Sequence, residues 1–247
     1  MPNVELHSAV ERWSLTVGEP YEQGVAGYTT RARLADGSPV VLKLVHPHRE
    51  TEHEADALRA WDGDGAIRLL AQDGDALLLE RCEPGTALSA AAPEAALDVL
   101  IELLPRLWRP AGEPFHALAD EAAWWFPKLP QTRLGDAARE AIDSLAGTQG
   151  EQVLLHQDLH GDNVLAAERE PWLVIDPKPL AGEREFAVAP IVRSWELGES
   201  KSDVLYRFDR LTSELGLDRE RARGWTIAQT VAWSNGEWHD SVAGWLL

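Results

Sequence analysis

The sequence has one cysteine, Cys82, among its 247 residues. A single thiol cannot form a disulfide within the chain, and it makes a zinc site built from several cysteines implausible. Long apolar runs are also missing, since no stretch approaches the roughly eighteen uninterrupted apolar residues of a membrane helix. Near the start, Glu5, Glu11 and Arg12 interrupt any segment that could resemble a secretion signal. These absences predict a cytoplasmic protein.

Basic residues are scarce relative to acidic ones. The chain has 23 lysines and arginines against 41 aspartates and glutamates, a formal net charge of −18. This balance argues against nucleic acid as a partner, because a phosphate backbone is bound by a basic surface. It would attract a cationic small molecule over long range, although an acidic surface that only keeps the chain in solution explains it equally well. The length suits one large domain or two modest domains that share an interface.

The most informative segment runs from His156 to Leu165 and is followed by an apolar run that ends at Asp176. Asn163 comes five residues after Asp158, and Asp176 comes eighteen residues after it. Short apolar runs flank these residues and predict small strands that present them at their ends. Phosphoryl transfer from ATP needs one carboxylate that takes the proton of the acceptor hydroxyl, and an amide and a second carboxylate that hold magnesium. We therefore predict Asp158 as the catalytic residue and Asn163 and Asp176 as metal ligands.

The first eighty or so residues have mostly the pattern of strands. An Asp-Gly pair at 36–37 lies between two apolar segments, which favours a hairpin turn. The predicted order is strand, strand, helix, strand, strand, with the elements at 28–34, 40–45, 49–61, 66–71 and 76–79.

The pattern becomes helical after Glu83-Pro84-Gly85. Pro93 suits the first turn of a helix, and apolar residues then recur at helical spacing as far as Leu107. Two further helices are predicted at 134–145 and 219–238. Together these patterns predict an α+β fold, with a strand-rich small lobe over residues 1–82 and a mostly helical large lobe over residues 83–247.

Lys43 places a cation inside the apolar strand predicted at 40–45. An isolated strand lysine is usually just exposed to solvent, but a kinase uses one to neutralise the α- and β-phosphates and holds it with a glutamate from the next helix. Residues three, four and seven apart share one face of a helix, and from Glu54 that face is apolar, whereas from Glu52 it is mostly polar. A carboxylate turned toward the core needs a cation, so Glu54 is the predicted partner of Lys43.

The pattern H-x-D-L-H-x-x-N with I-D-P-K, between His156 and Lys178, resembles the aminoglycoside phosphotransferases. Within that family it is most similar to the streptomycin 6-kinase and hydroxyurea kinase branch. Further likeness lies in the segment 53–63 and in Leu77-Leu78-Leu79-Glu80-Arg81, so the resemblance covers most of the chain. It implies a protein-kinase-like two-lobed fold, with an N-terminal nucleotide-binding lobe and a C-terminal catalytic lobe. It also implies ATP and Mg²⁺ as cofactors and an aminoglycoside such as streptomycin, or hydroxyurea, as the acceptor.

Four other residues are candidates for nucleotide binding. Gly24 and Gly27 precede the strand predicted at 28–34 and could form the loop over the phosphates, although an ordinary hairpin turn explains two glycines as well. Position and resemblance together predict that Glu80 and Cys82 lie in the lobe connection, where backbone groups bind the adenine edge.

The central loop departs from the family pattern at two positions. Gln157 stands where these antibiotic kinases usually have glycine, and Asp162 adds a charge beside Asn163 that could alter metal or substrate affinity. The loop also contains His156, which is predicted to brace it through hydrogen bonds. Lys178 could approach the transferring phosphate or only counter nearby acids.

Three alternatives to this function use the same residues. His156 and His160 are four residues apart, a spacing that binds zinc when it lies on a helix, although the glutamate of H-E-x-x-H is replaced here by Gln157. Kinases of choline, homoserine or ketosamines share this loop. A nucleotide-binding regulator without turnover is the third alternative, although no essential catalytic position is left unfilled.

The acceptor site has the weakest signal in the sequence. Antibiotic kinases bind cationic sugars through carboxylates of the helical lobe, and the candidates here are Asp120, Glu121, Glu196, Glu199, Glu237 and Asp240. Some tryptophans of the large lobe could stack on a sugar ring, although helix packing explains most of them, and these are Trp124, Trp125, Trp195, Trp225, Trp233 and Trp238.

Overall fold

The computed structural model describes residues 2–21 and 27–247 of the chain. The N-terminal part is built on a five-stranded antiparallel sheet with the strand order β1-β2-β3-β5-β4. Its elements are helix α1 (Pro2–Arg12), strands β1 (Thr16–Pro20), β2 (Gly27–Arg33) and β3 (Pro39–Val45), helix α2 (Glu54–Trp61), and strands β4 (Leu69–Asp73) and β5 (Ala76–Glu80).

The hairpin between β2 and β3 forms at the Asp-Gly pair that the sequence indicates. The backbone N–H of Ser38 donates to the Asp36 carboxylate at 2.9 Å, and Gly37 adopts a positive φ of 88°. In the register of this sheet, Lys43 lies opposite Thr29 of β2 and Leu77 of β5. The lysine therefore stands in the middle of the sheet.

Helix α1 and strand β1 precede the elements that the sequence predicted for the N-terminal part, and neither was predicted. Leu6, Ala9, Val10 and Trp13 pack against the core of the sheet. Their spacing of three, four and seven residues is that of one helix face, so the signal is present in the sequence. The N-terminal part is strand-rich as predicted, but this helix was not among the predicted elements.

Two predicted elements are shorter than expected. Helix α2 begins at Glu54 rather than at residue 49, because the hydroxyl of Thr51 donates to the carbonyls of His46 and His48 and holds the preceding residues in turns. The strand predicted at 66–71 begins only at Leu69. Ala66 instead forms an isolated bridge with Val174 of the C-terminal part.

The C-terminal part is mostly helical, with two small three-stranded sheets. Its helices are α3 (Pro93–Leu107), α4 (Leu118–Trp125), α5 (Arg133–Leu145), α6 (Ala189–Val192), α7 (Lys201–Glu214), α8 (Arg219–Ala232) and α9 (Glu237–Leu246). Its strands are β6 (Pro84–Ala87), β7 (His116–Ala117), β8 (Val153–Leu155), β9 (Val164–Ala167), β10 (Trp172–Val174) and β11 (Leu180–Gly182). One sheet has the order β10-β9-β6 and the other the order β7-β11-β8.

The single helix predicted at 219–238 is two helices. Helix α8 ends at Ala232, and α9 begins at Glu237 after Gly236, whose φ of 152° no helix accommodates. None of the described helices is long and apolar enough to cross a membrane. The predicted division at residue 82 lies in the connection between β5 and β6, and it stays a prediction.

One hydrophobic core runs through both parts. Trp61 of α2 is fully buried and donates its indole N–H to the carbonyl of Leu107, the last residue of α3, at 2.9 Å. Its ring also stacks on His156 of the central loop, with 6.2 Å between the ring centroids. Helix α2 is thereby fixed to the loop on which the predicted catalytic residue lies.

Candidate active site

The central loop is held by its own hydrogen bonds between β8 and β9. The side chain of Asn163 donates to the carbonyl of Asp158 at 2.8 Å, and the His160 ring accepts from the backbone of Asp162 at 3.4 Å. His156 contacts the carbonyl of Ile175 at 2.9 Å, and burial lowers its pKa to about 4, so the ring is neutral. The bracing contact expected of His156 is therefore present.

Gln157 has a left-handed backbone conformation, with a φ of 64°. Glycine reaches this region without the steric cost that a side chain imposes, so the glycine of the family pattern would suit this backbone. Helix α8 supports the turn, because Gln229 donates to the carbonyl of Gln157 at 2.8 Å. Gln157 therefore takes a backbone conformation that glycine favours, and α8 holds this turn directly before Asp158.

Asp158 lies between two cations. Its carboxylate forms an ion pair with Lys178, and Arg193 donates to it at 3.2 Å. Burial alone would raise the pKa of Asp158, but Lys178 and Arg193 outweigh burial and hold the pKa below its ordinary value. Both cations also lie over the ring of Trp233, Arg193 at 4.7 Å and Lys178 at 5.4 Å from its centroid. Asp158 is therefore a fixed, ionised carboxylate.

Arg193 is a site residue that the sequence reasoning missed. It is 8% exposed and follows the buried helix α6, with Asp158 far away in the chain. Nη1 of this guanidinium has no hydrogen-bond partner among the residues that the structure describes. An arginine at the end of the buried run Phe186–Val192 is the signal that could have indicated it, because a buried cation needs an anionic partner.

Lys43 and Glu54 lie together in the core of the N-terminal part. The Lys43 ammonium donates to both oxygens of the Glu54 carboxylate at 2.7 Å, and the two side chains are 6% and 2% exposed. The same ammonium also contacts Asp176, which follows β10. Burial lowers the pKa of Lys43, but the carboxylates of Glu54 and Asp176 outweigh burial and raise it. The lysine is therefore a permanent cation shared by two acids.

Asn163 and Asp176 are adjacent through the backbone, because the N–H of Ile175 donates to the carbonyl of Asn163 at 2.9 Å. The amide nitrogen of Asn163 donates to the carbonyl of Asp158, so its side-chain oxygen is the atom that could serve the predicted role of metal ligand. Although burial opposes it, Lys43 holds the pKa of Asp176 below its ordinary value, so this group is a carboxylate. Two oxygen donors beside each other suit Mg²⁺, which prefers oxygen ligands and keeps several waters.

The remaining nucleotide-binding predictions have mixed outcomes. Gly24 lies outside the described residues. Gly27 is the first residue of β2, and a Cβ atom there would lie 2.1 Å from the carbonyl oxygen of Leu44. Glycine is thus required at this position by the close approach of β3, whatever its role toward phosphate.

Glu80 and Cys82 flank the connection between the two parts, and their side chains are engaged in the fold. Glu80 accepts from Arg169 at 2.8 Å and from the backbone N–H of Arg68 at 2.9 Å. Cys82 is buried, and burial raises the pKa of its thiol to about 12. The backbone of this segment is what remains to meet a nucleotide, and that role stays a prediction.

Two of the acids proposed for the acceptor site have structural partners. Glu121 is 1% exposed and accepts from Arg49 at 2.6 Å and from Trp125 at 3.1 Å. Glu196 accepts from the backbone N–H of Gly161 at 2.9 Å, which anchors the central loop. The others are exposed and stay candidates: Asp120, Glu199, Glu237 and Asp240.

The tryptophans divide in the same way. Trp125 and Trp225 are part of the hydrophobic core, whereas Trp195 is 62% exposed. Trp233 lies between α8 and α9. Lys178 and Arg193, the two cations that hold Asp158, lie over its ring. Trp233 is thereby linked to Asp158, the predicted catalytic residue.

Neither Asp162 nor the histidine pair adds a metal ligand to the loop. The carboxylate of Asp162 accepts from Ser89 and is mostly exposed. His156 and His160 lie in a strand end and a loop rather than on a helix. The zinc-binding arrangement of an H-x-x-x-H helix is thus not what this segment forms.

Comparison with known proteins gives consistent matches over most of the chain. Residues 12–242 match the family described as aminoglycoside/hydroxyurea antibiotic resistance kinase. The chain is 43% identical over 239 residues to hydroxyurea phosphotransferase of Kitasatospora aureofaciens, covering 90% of this chain and 69% of that protein. It is 39% identical over 246 residues to streptomycin 6-kinase of Streptomyces glaucescens, covering 91% and 80%.

The fold has solved counterparts. A thermostable mutant of aminoglycoside phosphotransferase APH(4)-Ia, in ternary complex with ADP and hygromycin B, superposes with a TM-score of 0.61 at 13% identity and covers 97% of this chain and 94% of that one. The predicted protein-kinase-like fold and the predicted family are both confirmed. The chain therefore belongs to the aminoglycoside/hydroxyurea antibiotic resistance kinases and is an ATP-dependent phosphotransferase that acts on a small molecule.

Proposed function

We propose that the chain transfers the γ-phosphate of ATP to a hydroxyl of an aminoglycoside or of hydroxyurea, with Asp158 as the group that orients the hydroxyl. The observation that carries this proposal is the pair of ion clusters at the site. Lys43 is shared by Glu54 and Asp176, and Asp158 is held by Lys178 and Arg193. One cluster suits the metal and the phosphates, and the other suits the acceptor and the transferring group.

Lys43 is proposed to bind the α- and β-phosphates while Glu54 keeps it in place. Its contact with Asp176 must then be exchanged for phosphate oxygens, and Asp176 and Asn163 would hold Mg²⁺. The Asp176 side chain is 33% exposed, against 2% for Glu54, so it is the partner that solvent and ligands can reach. When bound, Mg²⁺ neutralises charge on the phosphates.

Asp158 is proposed to orient the acceptor more than to deprotonate it early. Because Lys178 and Arg193 lower its pKa, the carboxylate is a weak base in the ground state. It can still accept a hydrogen bond from a hydroxyl and receive its proton late, when the bond to phosphorus has largely formed. The Arg193 guanidinium, which donates to Asp158 at 3.2 Å, keeps that carboxylate in position and adds positive charge beside the transferring phosphoryl group.

The choice of acceptor rests on the named relatives and on charge. One relative is named a hydroxyurea phosphotransferase and another a streptomycin 6-kinase, and their identities to this chain differ little. The net charge of −18 favours a cationic acceptor by long-range attraction. We therefore rank streptomycin, which carries guanidinium groups, ahead of the uncharged hydroxyurea.

The test is transfer of radiolabelled γ-phosphate from Mg-ATP across a panel of aminoglycosides, hydroxyurea, choline, homoserine and ketosamines. We expect label on streptomycin in the wild type and none above background in Asp158→Ala. Label on choline, homoserine or a ketosamine only would overturn the acceptor class and keep the reaction. No label on any acceptor, with ATP bound, would contradict the proposal in favour of a nucleotide-binding regulator.

A further inference from the structure

We propose that Glu52, His53 and His116 form a second metal site, distinct from the predicted magnesium site, that takes a divalent transition metal such as Zn²⁺. One ligand atom from each of the three side chains lies within 4.8 Å of the other two. Nε2 of His116 is 3.1 Å from the Glu52 carboxylate, and the two imidazole rings lie 5.3 Å apart between centroids.

The donor set selects the class of metal. Two imidazoles with one carboxylate suit zinc and neighbouring transition metals, whereas Mg²⁺ and Ca²⁺ prefer oxygen ligands alone. Three protein ligands leave a fourth position for water, as in zinc sites of the His₂Glu type. The site is thus chemically different from Asn163 and Asp176, which offer only oxygen.

One ligand is already oriented for metal binding. Nδ1 of His53 contacts the carboxylate of Asp56 at 3.2 Å, which leaves Nε2 as the nitrogen for the metal. A carboxylate behind a ligating histidine fixes its ring and raises its basicity. Asp56 lies in the first turn of α2, so the helix that begins at Glu54 holds the histidine and its support together.

The site joins two segments that are far apart in the sequence. Glu52 and His53 precede α2, whose residue Glu54 holds Lys43, whereas His116 lies in β7. Strand β7 pairs with β11, and β11 pairs with β8, which leads into the loop of Asp158. A bound metal would therefore link helix α2, whose Glu54 holds Lys43, to the sheet that leads into the loop of Asp158.

A second contact, close to the proposed metal site, also joins the segment before α2 to the region of β7. Arg49 donates at 2.6 Å to Glu121, which lies in α4 directly after β7 and is almost fully buried. The metal site would add to this ion pair a link that depends on metal concentration. Occupancy is therefore expected to stiffen the two parts against each other.

The test is titration of the whole protein with Zn²⁺ in excess Mg²⁺, followed by calorimetry. We expect one zinc per chain in the wild type, and binding weaker by roughly tenfold or more in His53→Ala and in His116→Gln, since even loss of a supporting carboxylate costs about tenfold. Asp56→Asn removes the supporting carboxylate behind His53 and should weaken zinc binding by about tenfold. His7→Ala is the matched control, because His7 is an exposed histidine paired with Glu11 on α1.

Cobalt supplies a readout that unspecific binding would not give. Co²⁺ should show the intense visible bands of a tetrahedral site in the wild type and in His7→Ala, and lose them in His53→Ala and His116→Gln. Zinc should also raise the melting temperature of the wild type more than that of these two variants. Equal zinc affinity in all four proteins, or octahedral cobalt spectra throughout, would overturn the site and leave only a hydrogen bond between His116 and Glu52.

Discussion

The two ion clusters of the active site are built in opposite ways. Around Lys43 one cation lies between two carboxylates, and around Asp158 one carboxylate lies between two cations. The first cluster has a formal charge of −1 and would attract a metal ion, while the second has a formal charge of +1 and would attract the transferring phosphoryl group. The two halves of the site therefore have opposite local charge and suit different ligands, even though the whole chain is strongly acidic.

The largest effect is expected when the centre of the second cluster is removed. Asp158→Ala should lower turnover by about 10²–10⁴-fold, the usual contribution of a positioned acid–base group. ATP affinity should change little, because Asp158 contacts neither Lys43 nor Asp176. Steady-state kinetics with the identified acceptor gives the measurement. Asp162→Ala, in the same loop but bonded to Ser89, is the matched control and should keep wild-type turnover.

The centre of the first cluster should matter most for stability. Lys43→Met leaves the buried Glu54 carboxylate without its cation, and such a change typically costs about 3–5 kcal/mol of unfolding free energy. Denaturant unfolding of Lys43→Met, Glu54→Gln and the double variant measures the coupling. The double variant should be more stable than Lys43→Met alone. If the two single effects simply added, Lys43 and Glu54 would not be an energetic pair.

Removing one cation from the second cluster should change the pH dependence. Arg193→Met takes away a charge that lowers the pKa of Asp158, so that pKa must rise. Activity requires the carboxylate and is lost as pH falls through the folded-state pKa, so the acid limb of the profile should move to higher pH. Turnover above that limb should fall on the order of 100-fold through loss of alignment. An acid limb at the wild-type pH would show that Arg193 does not act on Asp158.

The smallest effect concerns the turn that precedes Asp158. Gln157→Gly removes a side chain from a left-handed backbone position, and the stability gain should be about 1 kcal/mol or less. Turnover should stay near that of the wild type, because glycine adopts the left-handed conformation of position 157 without steric cost and leaves Asp158 in place. Thermal unfolding measures the first effect, and a clear loss of stability would mean that the buried side chain contributes more than the strain costs.

Local patterns were enough to find most of the first cluster and part of the second. The apolar face beside Glu54 follows from helix periodicity, and Asp158, Asn163 and Asp176 lie at fixed offsets within one short stretch of the chain. Arg193 was missed because its contact with Asp158 depends on how α6 packs behind the loop, which no local spacing records. The break after Ala232 was missed although the sequence signals it, since Ser234-Asn235-Gly236 is a run of turn-forming residues.

The long-range arrangement also decides the acceptor side, where the sequence was weakest. Glu121 and Glu196 were candidates for binding a cationic sugar, yet each has a partner that fixes the fold. An acid in a sequence carries no record of whether a distant arginine or backbone N–H already occupies it. Exposed acids such as Glu237 and Asp240 therefore stay candidates for binding the acceptor.

The most direct test of the division between the clusters is ATP binding by Asp158→Asn and Asp176→Asn, each measured with and without Mg²⁺. The account predicts that Asp158→Asn binds Mg-ATP like the wild type and that Asp176→Asn loses most of the gain in affinity that Mg²⁺ provides. The two variants should thus differ in binding although both lose turnover. Equal magnesium-dependent affinity in the two variants would contradict the assignment of metal to one cluster and acceptor to the other.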